Sequence, residues 1–358
     1  MGLSDFLSDS FMITLNAIEK TYKKGNTLVH ELKEITLNIE QGEIFGILGR
    51  PGAGKSALIR CINLLEQPSR GNVIVDSCDL TILSTEGLRR ARRNIGMIFQ
   101  LPNLMNSRTV FENVALPLEL AGMPREHLEK TVRQMLNLSG LADKSEAYPN
   151  ELSLLQKQKV AIARALANKP KVLLCEEVTA ALEPKAKQTL LQWLQEINAQ
   201  LKLTIVFITH EIEVIKAICH RVAILHQGEM VEEATTLEFF TAPKSEIAKD
   251  FIKNATRQDM PIALRNRLRS QPFEDSNPVL RISFVHSSDH EPSISDIIQR
   301  FNLAINIIQA HLETILDATV GIMIVEIIGE NEDIKNAIYA LEDKDLQVEV
   351  LGYAPRFI

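Results

Sequence analysis

Three short runs in this chain, residues 43–48, 172–175 and 204–209, are almost wholly apolar. Strands covered on both faces read this way, because neither side of the pleat meets water. Segments at 13–17, 35–39 and 72–75 alternate polar and apolar positions instead, the period of a strand with one wet face. They predict a small antiparallel layer beside the buried sheet. Between 101 and 168 the pattern turns helical. Strands alternating with longer helical stretches over residues 12–252 predict an α/β domain on a mostly parallel sheet.

Residues 253–277 break that rhythm and are expected to be a linker. They carry Pro261 and Pro272 among scattered charges, with one short basic helix near 262–268. Residues 278–358 resume as strand 279–285, helix 293–301, strands 305–312 and 321–328, helix 331–341 and strand 347–353. The order βαββαβ predicts a ferredoxin-like α+β unit. Segment 305–312 reads equally well as helix.

Composition narrows the function classes. A chain of 358 residues exceeds what one core usually supports, so two domains are expected. With 45% hydrophobic and 24% charged residues the chain is globular rather than disordered or fibrous. A net charge of −7 argues against nucleic acid as a partner. Cys61, Cys78, Cys175 and Cys219 are scattered and form no C-x-x-C pair, so reduced, packed thiols are expected, with no disulfide or zinc framework. The most apolar stretch, 318–328, is interrupted by Glu326 and is too short to span a bilayer. The first residues lack the regions of a secretory signal, and Phe6 stands where myristoylation needs Ser or Thr. A cytoplasmic location is expected, with any membrane role acting through a partner.

The strongest chemical signal is Gly49-Arg50-Pro51-Gly52-Ala53-Gly54-Lys55-Ser56. It fits G-x-x-x-x-G-K-[ST] and lies between an apolar run and a helical one, where a phosphate-binding loop belongs. Glycines let backbone N–H groups converge on phosphate oxygens, and the helix N-terminus adds positive potential. Lys55 supplies a cation for the β- and γ-phosphates of ATP, and Ser56 a hydroxyl for Mg²⁺. The run ending at Glu176 and Glu177 delivers two carboxylates to the carboxyl edge of the sheet. Glu176 is the candidate for holding Mg²⁺ through water, and Glu177 for polarising the attacking water. The run Phe207-Ile208-Thr209-His210-Glu211 brings His210 to the same edge. Its imidazole is either a structural hydrogen-bonding group or a partner for a γ-phosphate oxygen.

With these motifs the chain resembles the ATP-binding cassette (ABC) transporter ATPases, and among them the ATPase subunits of methionine importers, over nearly its whole length. The stretches 54–65, 92–100, 107–111 and 114–120 are very similar to that family, and the closing unit is similar to its C-terminal regulatory domain. The resemblance implies that Tyr22 stacks on adenine and that Gln100 touches Mg²⁺ or the attacking water. It makes His210 the switch histidine, and it implies that Ser153, Leu154, Leu155 and Gln156 form the signature that contacts ATP held by the other copy of a homodimer. It further implies integral-membrane permease subunits, a periplasmic or lipid-anchored substrate-binding protein, methionine bound at the C-terminal unit, and a peripheral position on the cytoplasmic face of the inner membrane.

Several positions depart from the family. The signature is normally Leu-Ser-Gly-Gly-Gln, and here Leu154 and Leu155 replace both glycines. They either fill the approach to the γ-phosphate or turn into the helical subdomain as core. Glu176 stands for an aspartate, and Ala180-Ala181-Leu182-Glu183 for Ser-Ala-Leu-Asp. Lys159 stands for an arginine, giving up a planar fork for a point charge. The expected function is an importer ATPase coupling hydrolysis to uptake of D/L-methionine or a similar amino acid. The alternative is a subunit that binds ATP and hydrolyses it poorly.

Overall fold

The strands β3 (Ile44–Leu48), β7 (Val172–Glu176) and β8 (Thr204–Thr209) are buried at every position, as their unbroken apolar runs require. With β6 (Ile95–Ile98) and β9 (Arg221–His226) they form a parallel sheet in the order β6-β7-β8-β3-β9. Strand β10 (Glu229–Thr235) closes the β9 edge antiparallel. In this computed structural model, residues 11–25, 27–256, 267–286, 293–316, 318–343 and 346–355 are described. The expected basic helix near 262–268 lies mostly outside them.

The alternating segments form a second sheet of β1 (Phe11–Lys24), β2 (Thr27–Glu40), β4 (Arg70–Val75) and β5 (Cys78–Asp79), paired antiparallel in the order β2-β1-β4-β5. Its inward residues Leu15, Ile18 and Leu37 share one core with Phe45 and Ile47 of β3 and with Leu58 and Ile59 of helix α1 (Lys55–Ile62). Each such side chain contributes about 1.5–3 kcal/mol by leaving water. A polar clamp joins the two sheets. Arg221 donates to the Asn38 carbonyl at 3.2 Å and to the Glu43 carboxylate at 3.1 Å. Burial pushes the Glu43 carboxyl up, and the Glu40 N–H and Arg221 oppose that.

The short α2 (Thr85–Ala91) precedes β6. A helical subdomain follows, made of α3 (Val110–Leu120), α4 (Arg125–Ser139) and α5 (Leu154–Leu166), with its own core of Val114, Leu118, Val132, Leu136 and Val160. A Thr109–Glu112 capping box starts α3, and Gly140, at φ 66°, ends α4. The Trp193 indole of α6 (Pro184–Leu201) donates to the Leu138 carbonyl at 2.9 Å, tying α6 to the end of α4. Lys159 lies 5.0 Å from that ring and reaches the Ser139 carbonyl at 3.4 Å. Helix α7 (Ile212–Ile218) follows β8.

By contact, the chain divides after Thr235. The sequence reading carries the first domain to 252, so α8 (Thr236–Thr241) and α9 (Glu246–Thr256) group instead with the second unit. That unit holds β11 (Ser276–His286), α10 (Ser293–Arg300), β12 (Ala304–Ile315), β13 (Ala318–Ile328), α11 (Asn331–Glu342) and β14 (Gln347–Pro355). The strand order β12-β13-β11-β14 is the ferredoxin-like arrangement. The ambiguous segment 305–312 is strand, because its backbone pairs along β13 from Ala304 to Ile315. Leu280, Ile282, Val325, Ile297 and Leu341 make the core beneath the helices. Glu326, which interrupts the apolar run of β13, is fully buried and accepts from the Asn277 and Asn306 amides at 2.7 and 3.3 Å.

No helix among the described residues is long and apolar enough to cross a membrane. All four cysteines are free. Burial pushes the Cys61 thiol up to about 11 and the Cys175 and Cys219 thiols further.

Candidate active site

Helix α1 begins without a side-chain cap. Its N-cap, Gly54, sits at φ 99°, and a Cβ there would lie 2.7 Å from the Glu31 carbonyl oxygen. Glycine is therefore required, and the first-turn N–H groups are left for an anion. Gly52 is also left-handed, at φ 81°, with open space around it. Gly49, Ala53 and Lys55 are buried, while Arg50, Pro51, Gly52 and Ser56 face solvent. Across 49–56 the loop thus has a buried underside and an open outer side.

Lys55 is 7% exposed and donates to the Gly49 and Arg50 carbonyls at 2.7 and 3.2 Å. Its ammonium is 3.7 Å from Glu177. Burial lowers its pKa, opposed by the Glu177 and Glu176 charges. Glu177 follows β7 at φ 49°, an unusual conformation for a residue with a Cβ, held by its N–H donating to the Ile208 carbonyl at 2.9 Å. Its carboxylate lies 2.9 Å from Nδ1 of exposed His210, which sits just past β8. Neighbouring strands therefore bring Lys55, Glu177 and His210 to one edge. The β7–β8 pairing of Glu176 with Ile208 places Glu177 beside His210, and the β3–β8 pairing of Leu48 with Thr209 brings the loop of Lys55 to them.

Glu176 is buried at the end of β7 and Ser56 is exposed at the start of α1. A carboxylate and a hydroxyl suit Mg²⁺, which takes hard oxygen donors and completes its shell with phosphate and water. No group of three or more His, Cys, Asp or Glu that could hold a metal occurs among the described residues. Gln100, two residues past β6, has an exposed side chain.

The signature opens α5. Ser153 Oγ accepts from the Gln156 N–H at 3.3 Å, and Gln156 Oε1 accepts from the Ser153 N–H at 2.9 Å, a closed capping box. Leu154 and Leu155 are half-buried, and neither belongs to the core of the helical subdomain. Of the two alternatives open in the sequence, the geometry goes with leucines that stand at the helix start rather than fill the core. Beyond Glu177, Thr179 Oγ1 donates to Glu211 at 3.0 Å, and Glu211 also pairs with Lys187 of α6, so the 180–183 segment is braced on both sides.

Two residues of this region were not singled out from the sequence. Gln158 is 1% exposed, and its amide nitrogen donates to the carbonyls of Gln100 at 3.0 Å and Val178 at 3.2 Å. It joins the segment after β6, the segment after β7 and the signature helix. The available signal was a glutamine on the apolar stripe it shares with Ile162 and Leu166. Glu66 accepts a hydrogen bond from the Tyr22 hydroxyl. Forty-four positions separate the two, and no local pattern links them.

The comparisons with known proteins agree with this architecture. A family model described as ABC transporter matches residues 32–180, and one described as NIL domain matches 278–350. The methionine import ATP-binding protein MetN of Vibrio vulnificus (strain YJ016) is 48% identical over 342 residues, which cover 96% of this chain and 99% of that protein. The MetN of Chromohalobacter salexigens is 48% identical over 345 residues, with the same shares covered. Among solved structures, the dimeric ATP-binding cassette MJ0796, in a post-hydrolysis state bound to ADP and Pi, aligns with TM-score 0.58 and 36% identity over 63% of this chain and 99% of that one. The cbiO1 protein from Clostridium perfringens, part of the ABC transporter complex cbiONQ, aligns with TM-score 0.61 and 28% identity over 70% of this chain and 96% of that one. Carrying a cassette and a NIL domain, and similar to these relatives along almost its entire length, the chain belongs to the MetN family of ABC transporter ATPases.

Proposed function

We propose that this chain hydrolyses ATP to drive uptake of methionine or a closely similar amino acid through membrane permease subunits. The observation that carries the reading is the meeting of Lys55, Glu177 and His210 at the carboxyl edge of the parallel sheet. In this reading the uncapped N–H groups of α1 and the Lys55 ammonium receive the β- and γ-phosphates. Lys55 exchanges its carbonyl contacts and Glu177 for phosphate oxygens. Glu177, released from the cation, accepts a proton from the attacking water, and His210 holds the γ-phosphate side. Tyr22 lies under the adenine, and Gln100 orients the water.

Mg²⁺, held by Ser56 and Glu176 with Gln100 nearby, would neutralise charge between the phosphates. Ser153 to Gln156 of a second copy would close over the γ-phosphate in a homodimer, so each ATP is shared between two chains. The resemblance to importers supports permease subunits and a periplasmic or lipid-anchored substrate-binding protein as further partners, and a position on the cytoplasmic face of the inner membrane. Methionine at the second unit is supported by exposed apolar residues on β12, Ile307 and Leu312.

The test is uptake of labelled methionine into vesicles holding the chain with its co-purified membrane subunits. ATP-dependent uptake that disappears in Glu177→Gln supports the reading. Turnover without uptake of methionine or its analogues would leave an ATPase with another cargo.

A further inference from the structure

Tyr22 is half-buried on β1, 4.9 Å from the Lys20 ammonium to its ring centroid, and its hydroxyl donates to Glu66. Glu66 is held in turn. Its other carboxylate oxygen accepts from Arg60 at 3.2 Å, and its N–H donates to the Arg60 carbonyl at 3.0 Å. Arg60 lies on α1, the helix that begins with Lys55. The neighbouring chain is stitched as well. Lys20 donates to the Gln67 carbonyl at 2.7 Å, and the Thr21 N–H donates to Ser69 Oγ at 3.0 Å. Burial, then the bond to Glu66 and its charge, raise the phenol pKa well above its ordinary value, so the hydroxyl stays a donor throughout the working range.

A flat ring serves as a stacking surface only if its plane is fixed, because a ring free to turn about two side-chain torsions loses entropy on binding. We propose that Glu66 is the positioning residue of the adenine platform. Its carboxylate fixes the Tyr22 ring and, through Arg60, ties that ring to the helix carrying the phosphate-binding lysine. The inference rests on Tyr22 as the adenine-stacking residue. It goes further by giving the base and the phosphates one mechanical reference. Base and triphosphate then meet a preorganised pair of surfaces at a set separation.

The experiment compares ATP with inorganic tripolyphosphate, which lacks the base, in binding and turnover by the full chain. Glu66→Ala should raise KM for ATP three- to tenfold, leave kcat within about twofold, and leave tripolyphosphate affinity unchanged. Glu66→Gln, which still accepts from the phenol, should restore KM to near the parent value. Tyr22→Phe should match Glu66→Ala, and the double variant should be no worse than either single one, because both break the same bond. Additive losses, or an equal loss of tripolyphosphate affinity, would overturn the proposal in favour of general support of α1. If Tyr22→Ala raises KM while Glu66→Ala does not, the positioning role falls and the stacking role stands. If Tyr22→Ala leaves KM unchanged, both fall.

Discussion

Lys55 and Glu177 face each other at 3.7 Å where the sheet meets the phosphate loop. In the proposed mechanism the cation assigned to phosphate and the carboxylate assigned to water are thus paired with each other. Charge stored in this pair makes two residues answer differently to mutation.

Glu177→Gln keeps size and removes charge. ATP turnover should fall at least a hundredfold, while ATP affinity stays level or improves, because Lys55 loses its competitor. Glu176→Gln should instead raise the Mg²⁺ concentration that turnover requires. Titration of turnover and of nucleotide affinity on both variants checks the assignment, and exchanged phenotypes would exchange the roles.

Lys55→Ala should weaken ATP binding at least tenfold, about 1.4 kcal/mol. The pH dependence adds a second readout. Burial lowers the Lys55 pKa below the ordinary 10.5, so between the lowered value and 10.5 the folded, nucleotide-free chain binds fewer protons than the unfolded one. Stability from this group therefore rises with pH across that window. Phosphates favour the charged ammonium and raise the pKa again. ATP binding should take up protons in the alkaline window and weaken as pH rises through it. Calorimetry in two buffers of different ionisation enthalpy measures the uptake, which should vanish in Lys55→Ala.

Leu154 and Leu155 stand outside the subdomain core at the start of the signature helix. Changing both to glycine should increase turnover and ATP-driven pairing of two chains. It should lower the melting temperature modestly, since each glycine costs about 1 kcal/mol in a helix. A large fall in melting temperature with no gain in turnover would return the leucines to a packing role.

Gln158→Leu should cost about 1–3 kcal/mol for the buried Val178 carbonyl left without its partner, and less for the part-buried Gln100 carbonyl. Because those carbonyls belong to Gln100 and Val178, turnover should drop more than ATP affinity does. A thermal melt with parallel kinetics separates the two effects.

Much of the fold was legible in the sequence because its signals are local. The phosphate loop is eight contiguous residues. The buried strands are unbroken apolar runs, and the ferredoxin-like order follows from element lengths. Segment 305–312 was ambiguous because Ile305, Ile307 and Ile308 satisfy both periods, and only pairing with β13 decides it. The sequence carries the first domain to 252 because α8 and α9 continue the helical rhythm of the cassette, whereas contact groups them with the residues that follow Thr235. Within the site, the tie from Tyr22 to Glu66 and the bridge from Gln158 to Gln100 join polar groups 44 and 58 positions apart. Polar pairing at such range leaves no period to detect.

The left-handed backbone of Glu177 carries a consequence for substitution. At φ 49° glycine or asparagine is more comfortable than a residue with a long side chain. Replacement by glycine or asparagine would relax the backbone and remove the carboxylate beside Lys55 and His210, so at this position backbone preference and the proposed chemistry pull substitution in opposite directions.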